Sequence, residues 1–335
     1  MRFLRRLMLT VILGAILFIA WMVYFANAPI RLTESTVEVD LKAGSSLRSV
    51  AQQLVEQGVL REPWSFVLLV RFFGRASEVK AGNYLINNGT SHYQLFETLT
   101  NGDTAQVSIT FIEGWTFAQM REALNKNDFI RHLTMAYTDA QIMDKIGAPE
   151  RIPEGLFFPD TYYFSRGMSD QEILKRAYEA MQSKLNQAWT GRQPGLPYKS
   201  PYEALIMASI VEKETGKSAE RPIIAGVFLN RLRTGMRLQT DPTVIYGMGD
   251  RFDGNLRRKD LLTDNEYNTY TRSGLPPTPI AMPGLASIEA ALHPTSTKAF
   301  YFVGKGDGSH VFSSTLREHN RAVLRHQVQG RRDAR

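Results

Sequence analysis

A run of about 20 residues without a charge, Leu7 to Ala26, is long enough to cross a bilayer as a helix. It therefore divides the chain into a short head and a long extramembrane body. Trp21, Tyr24 and Phe25 cluster at its far end, as interfacial aromatics do, and Arg2, Arg5 and Arg6 precede it. The positive-inside rule then puts the N-terminus in the cytoplasm and everything after residue 28 on the other side. Ala26-Asn27-Ala28 has the A-x-A form of a signal-peptide cleavage site. The apolar run exceeds an ordinary signal core and Pro29 would follow the cut, so the reading is an uncleaved single-pass anchor over residues 1–28.

At 335 residues, 43% of them hydrophobic, the remainder is large enough for two folded regions with real cores. The formal charge of +7 is concentrated at the ends, including the basic tail that closes the chain at 331–335. The body is close to balance, which argues against a nucleic-acid groove. No cysteine is present, so disulfides, thiolate catalysis and cysteine-held metals are excluded. The histidines (His92, His132, His293, His310, His319 and His326) form no H-E-x-x-H or similar pair. Neither a metal nor a cofactor is expected. The absence of a G-x-S-x-G elbow, a phosphate loop or a dinucleotide fingerprint removes serine-hydrolase and nucleotide chemistry.

Residues 29–36 read as a short polar spacer, after which one pattern occurs twice. Val37, Val39 and Leu41 alternate as in a strand, Gly44 turns the chain, and Leu47, Val50 and Leu54 follow at helical spacing. Val107, Ile109, Phe111, Gly114, Phe117, Met120 and Leu124 repeat those positions at a constant offset. In the first unit a helix from Trp64 to Phe73 and a strand near Gly82 to Ile86 complete a β-α-α-β order. That order resembles the lysin-motif carbohydrate-binding module. The expected fold class is α+β: a transmembrane helix, a lysin-motif-like subdomain over 29–104, and a mixed catalytic domain over 105–330 that opens on the second strand-glycine-helix unit.

Within that domain, Glu203 to Gly216 (EALIMASIVEKETG) reads as one helix capped by its final glycine. At roughly 100° per residue, Glu214 falls within about 40° of Met207 and Ile210, on the apolar side. Glu212 lies about 160° away, beside Leu205, Ala208 and Ser209. A carboxyl among apolar neighbours is desolvated, which raises its pKa and suits it to act as a general acid. Glu214 is the candidate.

Around that helix, EGLFFPDTYYF at 154–164 sets Glu154 and Asp160 among aromatics, as a sugar-binding wall would, although a run of this kind also reads as core and strand. A second helix, Arg221 to Leu232, delivers Asn230 and Arg231. The loop Gln239-Thr240-Asp241, the segment Tyr267-Asn268, and a proline-rich stretch from Gly274 to Gly284 follow. The last should form a stiff wall. Phe300–Val303 and His310–Phe312 read as a hairpin, and Thr315 with Glu318 as the capping box of a last helix. Carboxylate chemistry on glycans is the natural class. An ordinary glycosidase needs two carboxyls, and Asp241, Glu154 and Asp160 are the possible partners of Glu214.

The strings A-S-I-V-E-K-E-T at 208–215, N-R-L at 230–232, R-L-Q-T-D-P-T-V-I-Y-G at 237–247, Y-N-T-Y at 267–270 and G-L-P-P at 274–277 occur in that order. Together with E-G-x-F-F-P-D-T at 154–161 they closely resemble the endolytic murein transglycosylases, the YceG-like family. The resemblance implies an inner-membrane protein of bacteria with a periplasmic body. It further implies a lytic transglycosylase that breaks the β-1,4 bond between N-acetylmuramic acid and N-acetylglucosamine in nascent strands without adding water. The second glutamate of E-K-E-T, here Glu214, would be catalytic. Asn230, Arg231, Gln239, Asp241, Tyr267, Asn268, Glu154 and Asp160 become substrate-binding candidates, with Arg237 a possible carboxylate partner. Peptidoglycan strands and peptidoglycan synthases, the penicillin-binding proteins, are the implied partners. The competing reading is a non-catalytic, membrane-tethered peptidoglycan-binding module that recruits synthases.

Overall fold

A computed structural model describes residues 2–102, 106–149 and 151–329. The chain divides into two compact units, Met1–Val107 with Tyr163–Gly167, and Ser108–Tyr162 with Met168–Arg335. Mixed helix and strand content agrees with the expected α+β class.

The first unit opens with α1 (Arg2–Asn27), which is long and apolar enough to cross a membrane and exposes most of its side chains. Its last turns differ from the rest. Met22 and Ala26 are buried in one hydrophobic cluster with Ile30, Leu32, Leu60 and Phe66. Residues 29–32 are consequently not a spacer. The Ile30 N–H donates to the Thr90 carbonyl at 2.8 Å, and the Leu32 N–H to Asn88 Oδ1 at 3.0 Å. The polar look of 29–36 concealed apolar residues that belong to the subdomain core.

Next come β1 (Thr36–Leu41), α2 (Leu47–Glu56), α3 (Trp64–Phe72), β2 (Gly82–Asn87) and α4 (His92–Asn101). β1 and β2 pair antiparallel, Val39 opposite Tyr84, and both of those side chains are fully buried. Gly44 takes a φ of 77°, the left-handed turn that lets the chain reverse from β1 into α2, and Ser46 caps that helix through the Ser49 N–H.

The same order recurs as β3 (Gln106–Thr110), α5 (Phe117–Asn125), α6 (Asp139–Lys145), β4 (Thr161–Ser165) and α7 (Asp170–Thr190), with β3 beside β4. Gly114 has φ 78°, and Thr116 with Gln119 forms a capping box. Ile109, Phe111, Met120 and Leu124 are buried, as are their offset counterparts Val39, Leu41, Val50 and Leu54, whereas buried Phe117 corresponds to half-buried Leu47. The duplicated pattern thus extends through two helices, a second strand and a capped third helix.

The second unit is built on α8 (Pro201–Glu214), against which α7, α9 (Arg221–Arg233), α10 (Asp241–Met248) and α12 (Leu285–Leu292) pack. The short α11 (Arg258–Leu262) precedes α12. The Ser200 hydroxyl accepts from the Glu203 N–H and Pro201 takes the first helical position, where its missing N–H costs nothing. Every residue from Ala204 to Val211 is buried. The single apolar stripe inferred from the sequence is therefore replaced by burial all round, as befits a helix at the centre of a domain. Nor is Gly216 its cap: the helix stops at Glu214, with Thr215 extended. Gly226 on α9 allows a close approach, since a Cβ there would come within 2.3 Å of the Thr295 carbonyl oxygen. The chain ends with the antiparallel hairpin β5 (Tyr301–Gly304) and β6 (His310–Ser313), then α13 (Leu316–Val323), opened by the Thr315–Glu318 capping box.

Candidate active site

Two glutamates at the end of α8 meet different surroundings. Glu212 Oε1 accepts from Arg221 Nη2 at 3.1 Å, while its Oε2 accepts from the Gly284 N–H at 3.0 Å and the Ser287 hydroxyl at 2.7 Å. Its bonds tie the start of α12 to α8. Ser209, one turn earlier, accepts from the Ile280 N–H at 3.0 Å. The proline-rich stretch is thereby drawn into the interior, where Thr278 to Gly284 are all buried. The expected wall is an inner strut instead, because backbone groups of Gly114 and Trp115 pair with Met282.

Glu214 faces a cavity of about 400 Å³ walled by residues that include Arg231, Gln239, Asp241, Tyr270, Tyr301 and His319. Its Oε1 accepts a hydrogen bond from the Thr240 hydroxyl. Burial pushes its pKa up to about 7; the Thr240 hydrogen bond opposes that rise, the nearby Asp241 carboxylate adds to it, and Arg231 opposes it. The location reinforces the sign, since the C-terminal end of a helix carries partial negative charge and disfavours an anion. The result is a carboxylic acid available for proton transfer near neutrality beside an open volume.

Thr240 is free to do this because it precedes α10 without capping it through its side chain. Its N–H donates to Thr269 Oγ1 at 3.1 Å, and Thr243 bridges the Thr240 carbonyl and the Thr269 hydroxyl. Gln239, next to it, adopts φ 53°, the one positive φ of a non-glycine residue among the described residues. That conformation is costly for a residue with a Cβ and is held by surrounding structure, a pattern that clusters at functional sites. Arg231 supplies much of the hold: its guanidinium donates to the carbonyls of Arg237, Leu238 and Phe300 and to Gln239 Oε1, and it lies over the Tyr301 ring. Asp241 opens α10, where backbone N–H groups favour negative charge, and accepts from the Tyr270 hydroxyl.

Of the residues singled out in the sequence, the structure gathers Glu214, Arg231, Gln239 and Asp241 around one cavity. The others lie elsewhere. Asn230 donates to the carbonyls of Thr297 and Ala299, fixing the approach to β5, and the fully buried Asn268 donates to the carbonyls of Asp260, Leu261 and Thr263. The Tyr267 hydroxyl pairs with Thr278 at 3.0 Å, and Arg237 donates to the Tyr270 carbonyl. Asp160 is exposed and accepts from the Thr161 N–H at the start of β4. Glu154 is buried and accepts from the Phe117 N–H and the Tyr246 hydroxyl; burial raises its pKa to about 7 as well.

Sequence reasoning passed over Thr240, Tyr270, Tyr301, His310 and His319. Thr240 and Tyr270 stand inside the strings Q-T-D-P-T and Y-N-T-Y, so attention to hydroxyls there had the signal. His310 stands in the H-x-F string at 310–312 that also resembles the family, whereas Tyr301 and His319 had no signal, because their segments read only as secondary structure. His310 is held by Glu220, Nδ1 to Oε2 at 2.7 Å.

Comparison with known proteins identifies the family of the chain. The model of the YceG-like family matches residues 39–325. An endolytic murein transglycosylase of Bacillus subtilis is 35% identical over 87% of this chain and 84% of its own length. One from Streptococcus pneumoniae serotype 2 is 26% identical over 87% of this chain, which spans 58% of that longer protein. The crystal structure of a putative YceG-like protein from Listeria monocytogenes, 30% identical, superposes with a TM-score of 0.54 over 86% of this chain and 98% of its own. The Glu214 neighbourhood and the ordered strings around it are thus features of a chain that belongs to the YceG-like family.

Proposed function

We propose that this protein is an endolytic lytic transglycosylase that cuts the β-1,4 bond between N-acetylmuramic acid and N-acetylglucosamine in nascent peptidoglycan, terminating strand growth. The observation that carries the reading is Glu214, a carboxyl raised to about 7 and opening onto a cavity. Relatives named endolytic murein transglycosylase support the substrate.

The reaction needs one such group. Glu214 gives its proton to the glycosidic oxygen as the bond to C1 of the muramic acid breaks. The C6 hydroxyl of that same sugar attacks C1, and the Glu214 carboxylate takes the hydroxyl proton. No water enters, and the new end is 1,6-anhydromuramic acid. A carboxyl acting first as acid and then as base dispenses with a second carboxylate nucleophile, and an attacking hydroxyl held within the substrate lowers the entropic barrier. Gln239 and Arg231, held at the cavity wall, are suited to acetamido and carboxylate groups of the glycan. On this reading residues 105–330 form the catalytic domain and residues 29–104 the lysin-motif-like one. Leu7 to Ala26 anchors the chain in the inner membrane with its N-terminus cytoplasmic and its body periplasmic, and peptidoglycan synthases are its partners. The binder-only alternative gives no role to a protonated carboxyl in a cavity and is not favoured.

The test uses the full chain, since Ile30 and Leu32 share a core with α1. Incubation with purified glycan strands followed by mass spectrometry should yield anhydro-ended fragments, absent with Glu214→Gln. Ends heavier by one water would instead show hydrolysis, and no cleavage by the unaltered protein would overturn the proposal.

A further inference from the structure

The helix α3, WSFVLLVRF, is apolar on both sides, yet only one side is covered. Ser65, Phe66, Leu69 and Val70 are buried in the first unit. Trp64, Leu68 and Phe72, spaced by four residues and so on one face, are 57%, 37% and 59% exposed. Arg71 falls on that face too, and Phe73, just past the helix end, is 42% exposed. An apolar stripe flanked by tryptophan and arginine, on a helix that is otherwise core, has the composition of a helix lying in a membrane interface.

What covers this stripe follows from its neighbour. The Trp64 ring stacks on Trp21 of α1, centroids 5.5 Å apart and planes 9° from parallel. Trp21 also stacks on Phe25, and Phe25 packs against His92, whose Nδ1 meets the Ala28 carbonyl at 2.9 Å. With Met22 and Ala26 buried in the same cluster, the end of the apolar helix is joined rigidly to the subdomain. The exposed face of α3 therefore begins at the aromatic layer that marks where α1 leaves the hydrocarbon.

We infer that α3 is a second membrane contact: its Trp64–Leu68–Phe72 face lies in the headgroup and acyl boundary of the leaflet from which α1 emerges, holding the first unit flat against the lipid. Arg71 reaches outward from that face to lipid phosphates. This rests on the reading of α1 as a membrane span. A flexible tether would let the subdomain tumble, whereas two contacts fix its orientation to the surface.

The chain has no cysteine, so single labels can be placed in the intact protein. Leu68→Cys, Phe72→Cys, Ile16→Cys within α1 and Arg48→Cys at an exposed position of α2 would each be spin-labelled and reconstituted in phosphatidylethanolamine–phosphatidylglycerol vesicles. Collisions with oxygen, which partitions into lipid, would be compared with collisions with a water-soluble nickel chelate. The expected result is an oxygen-to-nickel ratio at 68 and 72 severalfold above that at 48 and of the same sense as at 16. Water-like ratios at 68 and 72 with a lipid-like ratio at 16 would overturn the inference and leave the span intact. Shielding of 68 and 72 from both agents would also overturn it, because protein rather than lipid would then cover the face. A water-like ratio at 16 would remove the span itself, and this inference with it.

Discussion

Two carboxyls in the second unit, Glu214 and Glu154, are pushed by burial to the same value near 7, and Glu214 lines a cavity whose walls do not include Glu154. Both oxygens of Glu154 accept from the first N–H of α5, and Oε2 accepts also from Tyr246, inside a tightly packed segment. Gly155 beside it takes φ 77°, and a Cβ there would strike Pro279 at 2.3 Å. Among the described residues Glu214 has one protein donor, Thr240, and it faces the cavity. A perturbed pKa therefore marks burial in both places and, on the proposed reading, chemistry in one. Access for a substrate makes the difference.

The largest test of that contrast is activity. Glu214→Gln should reduce cleavage of glycan strands by about 10²–10⁴-fold, the usual worth of a general acid. Glu154→Gln should leave the rate of the surviving folded protein nearly unchanged. Equal losses in the two variants, measured by release of anhydro-ended fragments, would mean that Glu154 takes part in the reaction and that a second carboxyl is needed after all.

In stability the two sites should behave alike. A glutamate in the unfolded chain ionises near 4.5, and each of these does so near 7 in the fold. Between those values the folded chain holds more protons than the unfolded one. Stability is thus full below pH 4.5, falls as pH rises through that window, and levels off above 7. At about 1.4 kcal/mol per pKa unit, each site accounts for about 3 kcal/mol. Urea unfolding of the full chain at pH 5 and pH 8 should show the loss, and Glu214→Gln and Glu154→Gln should each remove their own share. If only the Glu154 variant flattened the profile, the Glu214 carboxyl would be better hydrated than its surroundings imply, and its role as an acid would lose its basis.

The same contrast shows what was legible in the sequence. Glu214 was found because its neighbours along α8 are apolar, although the helix is buried all round rather than on one stripe. Glu212 was set apart by angle alone; what distinguishes it is Arg221, Gly284 and Ser287, brought by segments distant in sequence. The duplicated strand, glycine and helix were visible because local periodicity and turn chemistry suffice to specify them. The cavity was not, since its walls come from α8, α9, the 238–241 segment, β5 and α13, and no local pattern records which of them meet. Asn230 and Asn268 illustrate the cost: an amide near a helix end and one in a turn look like ligand contacts, and here they serve backbone carbonyls.

The smallest effects should come from two of the residues that tune Glu214, Thr240 and Asp241, and they should have opposite signs. Activity of the unaltered protein should fall about tenfold per pH unit above 7 as Glu214 loses its proton. Thr240 lowers the pKa of Glu214 by donating to it, and Asp241 raises it by its charge. Thr240→Val removes a hydrogen bond to the ionised form and should move the alkaline limb upward, whereas Asp241→Asn should move it downward. Each displacement should be within about one pH unit, the scale of a single hydrogen bond to a charged group. A merely structural role for either residue would lower the rate at every pH and leave the limb in place. Glu154 offers the control, because Tyr246→Phe removes a donor from a carboxyl that does not line the Glu214 cavity and should leave the limb unmoved. Were it to move, the two carboxyls would be coupled, and the separation between burial and access would have to be redrawn.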